Sequence, residues 1–532
     1  MTLSVPGLSR YFRPLVCCAA VAMLALAPDP ARAQLPDSPS AGAAAQGSAD
    51  AAPTLNLTME QAVEMALEAN LGLQAARLNL DAADHAMAGA RAAFLPQVSS
   101  TLSRSSQVSV PNDFTQGADD ITTRGLAVNA GLNQTLPVLG TSYSLAWSNN
   151  RTSQLGGYPL FNPFLRSAFS ISVTQPLWRG LLVDQARSAL KTSGRRRQVA
   201  NLQFEQQRVR LQAAVRIAYL ELISAREALR VARQNLEIRQ ASLADARARV
   251  EVGAAAPIDL ISAEAEVASN QENVLVAEAL IASCEDALRT LILDSERPDY
   301  WQLRINAIDD VESAPREIDV DLAIRTALDG RFDLVAARQE LDITDLNVRV
   351  ARDATRPAVN LQLNYATSGT GGTRFVYGEG FPPKADYEIV RSFGAVLGDT
   401  FGAAYPQWSV GVNVQYPIGR SAAEANLAQQ EVSRRQAAIN MRELELAIVQ
   451  QVREAARQVQ NTYQRVLVTR AALAASEQQL EAEQRRFAAG LSTTLELQVR
   501  QGQLSTARTA ELNAVIAYNR ALIDLERVQQ AQ

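Results

Sequence analysis

The sequence predicts a mainly α fold with a transmembrane β part. Three observations carry this. The 532-residue chain is dominated by Ala, Leu, Gln, Arg, Glu and Val with only 5% aromatic residues, the alphabet of long helices. Apolar residues recur every seven positions over several segments. A few short segments alternate between an apolar and a small polar face, as strands do.

The N-terminus fixes the compartment. Arg10 and Arg13 precede the apolar run LVCCAAVAMLALA (Leu15–Ala27), and Ala31-Arg32-Ala33 supplies a small-x-small cleavage site. Residues 1–33 are expected to be a secretory signal peptide, with maturation before Gln34. Cys17 and Cys18 raise lipidation, but Val16 is too bulky for the small residue that precedes a lipidated cysteine. After cleavage only Cys284 remains, so no intramolecular disulfide is expected. No later apolar run reaches about 18 residues, so any passage through a membrane must use strands. A net charge of -5 and a pI near 5.4 argue against a nucleic-acid partner.

Residues 34–56, rich in Ala, Pro, Ser and Gly, read as a disordered leader. The rest of the chain repeats itself. EQAVEMALEANLGLQAARLNL (Glu60–Leu80) matches DLAIRTALDGRFDLVAARQEL (Asp321–Leu341), and Pro96 matches Pro357, a shift of 357 − 96 = 261. Further on, Val215-Arg216 matches Val452-Arg453 and Gly253 matches Gly490, a shift of 490 − 253 = 237. Two repeats, 57–293 and 319–532, are therefore expected, joined by a segment at 294–318.

Each repeat reads helix, strands, long helix, tight turn, helix. The long helices, about Leu181–Val250 and Ser421–Phe487, would each span about 105 Å at 1.5 Å per residue. Shorter helices are expected near Thr58–Ala93, Pro257–Leu293, Asp319–Ala354 and Thr493–Gln529. Heptads at Leu222, Leu229, Leu236, Leu243 and Val250, at Leu260, Val267, Val274, Ile281 and Leu288, and at Val459, Val466, Leu473, Leu480 and Phe487 predict antiparallel coiled-coil hairpins. Gly253 and Gly490 mark the tips, because glycine permits a left-handed helix cap, and Pro257 suits a first helical turn.

Strands are expected at about 95–177 and 358–417. In WSVGVNVQYPIG, Trp408, Val410, Val412, Val414 and Tyr416 share one face, with Ser409, Gly411, Asn413 and Gln415 behind them. Val359, Leu361, Leu363 and Tyr365 alternate likewise with Asn360, Gln362 and Asn364. Phe169, Ile171 and Val173 alternate with Ser170, Ser172 and Thr174, and a weaker pair flanks Pro137–Gly140: an added hairpin, or lengthened strands of the same sheet. A membrane barrel with a wet lumen needs such faces, and so would a soluble sandwich. Two or three hairpins are too few for a sandwich core, and an open sheet edge cannot lie in lipid. Several chains must then share one barrel.

The signal peptide, the tandem repeat, the strand ends Gln175-Pro176-Leu177 and Tyr416-Pro417-Ile418, and the tips at Gly253 and Gly490 together resemble the TolC-type outer-membrane factor family, from about Leu57 to the C-terminus. The resemblance implies a homotrimer: a coiled-coil tunnel in the periplasm, capped by a shared antiparallel β-barrel in the outer membrane with four strands per copy. It implies a passive duct of a tripartite efflux pump or a type I secretion system, with a periplasmic adaptor protein, an inner-membrane transporter and outer-membrane lipid as partners.

Acidic rings at the periplasmic aperture are also implied. Glu496 falls at one ring position and Asp259 at the acidic position of the first tip. Val499, Ser492 and Phe487 stand where the family carries a second ring Asp, a locking Arg and a locking Tyr, so the lock must differ, through Arg500 or Arg249. Three symmetry-related carboxylates across a pore would favour cations, while Glu496 also suits a helix first turn on its own. Gly253, Ala254, Gly490 and Leu491 are the expected centre of adaptor docking, since grooves between coiled coils accept further helices.

Other candidates are weak. His85 is the only histidine and lacks clustered Cys partners, so no metal, cofactor or catalytic site is expected. Arg195-Arg196-Arg197 reads as a solvated helix face or a lipid head-group contact. SGTGGT (Ser368–Thr373) reads as an extracellular loop rather than a phosphate cradle. The alternative to a duct is a soluble periplasmic coiled-coil scaffold, which would bury the apolar strand face as a core.

Overall fold

A computed structural model describes residues 54–111, 117–253, 256–309, 313–380, 383–416, 418 and 421–530; the signal peptide and most of the leader lie outside these. The first repeat runs β1 (Thr54–Leu57), α1 (Met59–Ala69), α2 (Leu71–Ala92), β2 (Gln97–Ser109), β3 (Ile121–Thr135), β4 (Ser142–Leu155), β5 (Phe161–Pro176), α3 (Gln185–Glu251) and α4 (Pro257–Ile292). The connecting segment carries β6 (Arg304–Ala307). The second repeat follows with α5 (Val320–Gly330), α6 (Phe332–Ala354), β7 (Ala358–Tyr377), β8 (Ala385–Arg391), α7 (Phe393–Phe401), β9 (Pro406–Gln415), α8 (Ala422–Ala488) and α9 (Thr494–Gln529).

The two long helices have 67 residues each, about 100 Å of helix. Asp184 and Ser421 cap their N-termini by accepting from the backbone N–H three residues on. α4 and α9 return along them as antiparallel hairpins, while α2 packs on α3 and α6 packs on both long helices. Each shorter strand-side helix expected as one piece is broken in two, at Asn70 and at Arg331. These positions match under the first repeat shift, 331 − 70 = 261. Both residues are extended; Asn70 caps α2 at Leu73 and donates to the Leu291 carbonyl, whereas Arg331 clamps Asp333 and Gln451.

The core lies midway along the helices. Val215, Tyr219, Leu222, Leu288, Ile292 and Ile305 are fully buried in the first repeat; Val459, Val466, Ala514 and Tyr518 play that part in the second. Burying one such Leu contributes about 1.5–3 kcal/mol. Toward the tips the same heptads are only half-buried, as at Leu236, Leu243, Leu473 and Leu480.

The leader boundary needs correction. Thr54–Asn56, assigned to a disordered leader, form strand β1 (Thr54–Leu57) with Leu57 and pair in parallel with β6. Its register is locked by Tyr219, whose hydroxyl donates to the Leu57 carbonyl (2.8 Å), lies 3.0 Å from the Asp309 carboxylate and accepts from the Ile308 N–H (3.2 Å). The arginines at 195–197 are likewise more than a solvated face: Arg197 pairs with Asp84 of α2 at 2.7 Å and Arg195 with Asp342 of α6 at 3.4 Å, tying both helices to α3.

The other sheet has six columns, not the four that the resemblance implies. β2, β3, β4, β5 and β7 run antiparallel in that order, and the sixth column is shared by β9, which pairs with the helix-side half of β7, and β8, which pairs with its far half. The weaker strand pair around Pro137–Gly140 is a full hairpin, β3–β4, closed by Leu136 N–H to Thr141 O at 2.7 Å. In its turn Gly140 has φ +67°, and a Cβ there would stand 2.8 Å from the Gly180 carbonyl.

SGTGGT is not a loop. It is the far half of β7, and α7 lies on it. A Cβ on Gly369 would meet the Val396 carbonyl at 2.2 Å, and one on Gly371 would meet the Val396 side chain at 2.5 Å, so the glycines are what lets the helix sit so close. Thr400 Oγ1 donates to the Ser167 carbonyl (3.2 Å), and Thr367 Oγ1 donates to the Thr400 carbonyl (3.1 Å).

Candidate functional site: hairpin tips and strand face

Both tips are built alike. α3 ends at Glu251 and the chain turns at Gly253, φ +75°; α8 ends at Ala488 and turns at Gly490, φ +77°. A Cβ at either glycine would meet nothing within 4 Å, so the left-handed conformation alone selects glycine. Ala254 lies outside the described residues. Leu491 is 72% exposed, and Val252, Ile258 and Leu495 around the two turns are also exposed. The tips therefore present apolar side chains to solvent in a single chain.

Asp259 and Glu496 occupy the same place in the two repeats, 496 − 259 = 237, the third residue of the returning helix. Asp259 accepts from the Ala256 N–H at 3.2 Å. Glu496 completes a capping box with Thr493: Thr493 Oγ1 accepts from Glu496 N–H (3.3 Å) and Glu496 Oε2 from Thr493 N–H (3.4 Å). Ser492 Oγ lies within hydrogen-bond distance of both Glu496 (3.0 Å) and Glu483, to one of which its single proton is donated, and Glu483, which is buried, also lies 3.6 Å from Arg486. The Ser492 hydroxyl first, then the Thr493 N–H and the nearby Arg486, hold the Glu496 carboxyl below its usual range, so it is charged at neutral pH. The first-turn capping role of Glu496 is thus present in one chain.

Arg500 and Arg249 part company. Arg500 bonds Gln479 and Gln503 and so stays within its own hairpin. Arg249 pairs with Asp245 at 3.0 Å and lies over the Phe487 ring at 5.1 Å, joining the first tip to the second. Asn235 of α3 donates to Ser505 of α9, a second tie between the hairpins. The Glu483–Ser492 pair escapes sequence reasoning because a serine nine residues after a glutamate carries no helical periodicity.

On the sheet, Trp408, Val410, Val412 and Val414 pair with Tyr365, Leu363, Leu361 and Val359, forming one continuous apolar face. Trp408 is 77% exposed and the three valines are exposed too, so none of the described residues covers this helix-side part of the face; α7 covers only its far part, at Trp147 and Phe169. Tyr416 lies one residue past the end of β9, because pairing stops where β7 begins, Ala358 opposite Gln415.

Long helical hairpins joined to an antiparallel sheet with a bare apolar face define a subunit of a helical-tunnel and β-barrel channel. The family model described as outer membrane efflux protein matches residues 127–292 and 323–529. The chain belongs to the outer membrane efflux protein family and has the role of an outer-membrane efflux channel. Similar solved structures are a membrane protein from Pseudomonas aeruginosa (19% identity, TM-score 0.65, 88% of this chain and 92% of that one) and the Campylobacter jejuni CmeC outer membrane channel (15%, 0.63, 88% and 85%). The Vibrio cholerae outer membrane protein VceC is similar too (16%, 0.62, 88% and 95%). No curated protein matches the chain by sequence.

Proposed function

We propose that three copies close one barrel in the outer membrane and continue as a periplasmic helical tunnel, forming a passive duct for a tripartite efflux pump or a type I secretion system. The observation that carries this reading is the pair of open edges. Every residue of β2 and of β9 is exposed, and among the described residues each strand leaves one row of backbone donors and acceptors unpaired, in β9 beside the apolar face. In lipid such edges must pair with another copy. Three times six columns makes a barrel of eighteen strands. A soluble scaffold would need the Trp408 face covered, and it is bare.

Cysteines on β2 (Ser99→Cys, Ser103→Cys) and β9 (Ser409→Cys, Asn413→Cys), in a chain with Cys284→Ala, test the edge pairing. Oxidation is expected to give dimers and trimers only when both edges carry a cysteine; monomers throughout would contradict it.

At the tunnel's end, Asp259 and Glu496 ring the aperture, and the exposed Val252 and Leu491 beside Gly253 and Gly490 receive the helical hairpin of an adaptor that links the duct to an inner-membrane transporter. Because Gln also completes a capping box, Glu496→Gln leaves the tip folded and removes one carboxylate per copy. Reduced cation selectivity in planar-bilayer recordings is the expected result, and unchanged selectivity would remove Glu496 from the ring.

A further inference from the structure

We propose that Arg104, Arg124 and Arg151 bind the phosphate groups of an outer-leaflet lipid, on the outside of the barrel where its apolar belt ends. This rests on the duct reading, in which the apolar sheet face meets lipid.

The strand register brings the three together. Arg104 lies opposite Leu126, and Leu126 opposite Arg151; Arg124, two residues further from the helices on β3, lies opposite Ser106 and Ser153. Neighbouring strands stand about 4.8 Å apart, so Arg104 and Arg151 are about 10 Å apart at the backbone. Arg124 is the diagonal neighbour of each, at about 7–8 Å. Strand alternation puts all three on the apolar face: Arg104 follows Leu102, Arg124 precedes Leu126 and Val128, and Arg151 follows Leu145 and Trp147. They sit toward the strand ends away from the helices, past the aromatic level marked by Trp147, Phe169 and Tyr365.

All three side chains are exposed, and none forms an ion pair or side-chain hydrogen bond among the described residues. Arg391, also on this side of the sheet, is by contrast held by Asp399 of α7 at 2.7 Å. A charge on the lipid face is tolerated only near the head groups, and guanidinium matches phosphate oxygens bidentately. Inorganic phosphate offers the same chemistry. The apolar belt directly beneath the cluster favours a ligand that brings acyl chains with its phosphate, so the occupant is a phosphorylated glycolipid rather than a free ion.

The mature protein in phosphatidylcholine nanodiscs, doped with either bisphosphorylated or fully dephosphorylated lipid A, tests this by native mass spectrometry of the retained lipid. The full chain is expected to keep the bisphosphorylated form in several-fold preference. R104Q/R124Q/R151Q should lose that preference, whereas Arg166→Gln, on the opposite face of β5, should keep it. Millimolar inorganic phosphate should not displace the lipid. An unchanged preference in the triple variant, no preference in the full chain, or displacement by phosphate would each overturn the proposal. If the duct reading itself fails, the protein will not enter nanodiscs at all; normal insertion without preference removes only the arginine site.

Discussion

Tyr219 shows how much one side chain carries here. Its hydroxyl joins β1, the segment after β6 and the middle of α3, and it is wholly buried. Tyr219→Phe leaves the Leu57 carbonyl and the Ile308 N–H without that partner, a loss of about 1–3 kcal/mol. A thermal melt should show it as a lower Tm with the fold retained. Burial pushes the phenol up to about 12. The folded value lies above that of the unfolded chain, so the stabilisation is complete below about pH 10 and fades as pH rises toward 12, in the wild type and not in the Phe variant. Residues of this kind are hard to read from sequence, since a tyrosine on an apolar helix face says nothing of which carbonyl it reaches. Arg249 and Phe487 form a second pair of consequence. Such a contact contributes about 0.5–1 kcal/mol when exposed, and in the proposed trimer it would recur at every tip and bias the aperture toward closure. Phe487→Ala and Arg249→Gln should each raise the open probability of reconstituted channels, and the double variant should add little to either. Additive effects would dissociate the two residues.

Elements were legible in proportion to the strength of their period. The 67-residue helices and their hairpin partners follow from heptads and differ by only a few residues from the expected bounds. β2 does not announce itself, because its apolar-side positions include Ser100, Arg104 and Ser106 beside Val98 and Leu102. The breaks at Asn70 and Arg331 sit inside unbroken helical periodicity and are settled by caps and tertiary bonds. α7 is too short and too apolar to stand out, and its docking depends on glycines that look, in sequence, like a flexible loop. Replacing Gly369 with Leu must therefore push α7 off β7, and limited proteolysis should then cut near Phe401 while β7–β9 pairing persists. Protection equal to wild type would show that α7 is held by something else. At the second tip, Gly490→Ala should cost about 1 kcal/mol through its positive φ alone, since no neighbour obstructs a Cβ.

The whole molecule is where the chain departs most from the pattern that the family resemblance implies. The helices and tips follow the expected tandem plan, and the departure is the β3–β4 hairpin inserted in the first repeat, which raises the sheet to six columns. Barrel diameter grows roughly in step with strand number, so eighteen strands would enclose a wider exit than twelve. The aperture at the tips, not the barrel, would then set what passes. Because the barrel needs both edges, β2 and β9 must each find a partner strand in another copy. The most direct test is cryo-electron microscopy of the mature protein in lipid nanodiscs. Three-fold particles with six strands from each copy, β2 of one paired to β9 of the next, and helices extending about 100 Å below are the predicted result; single chains, detergent-independent rods, or a barrel that takes four strands per copy and leaves a hairpin outside would contradict it.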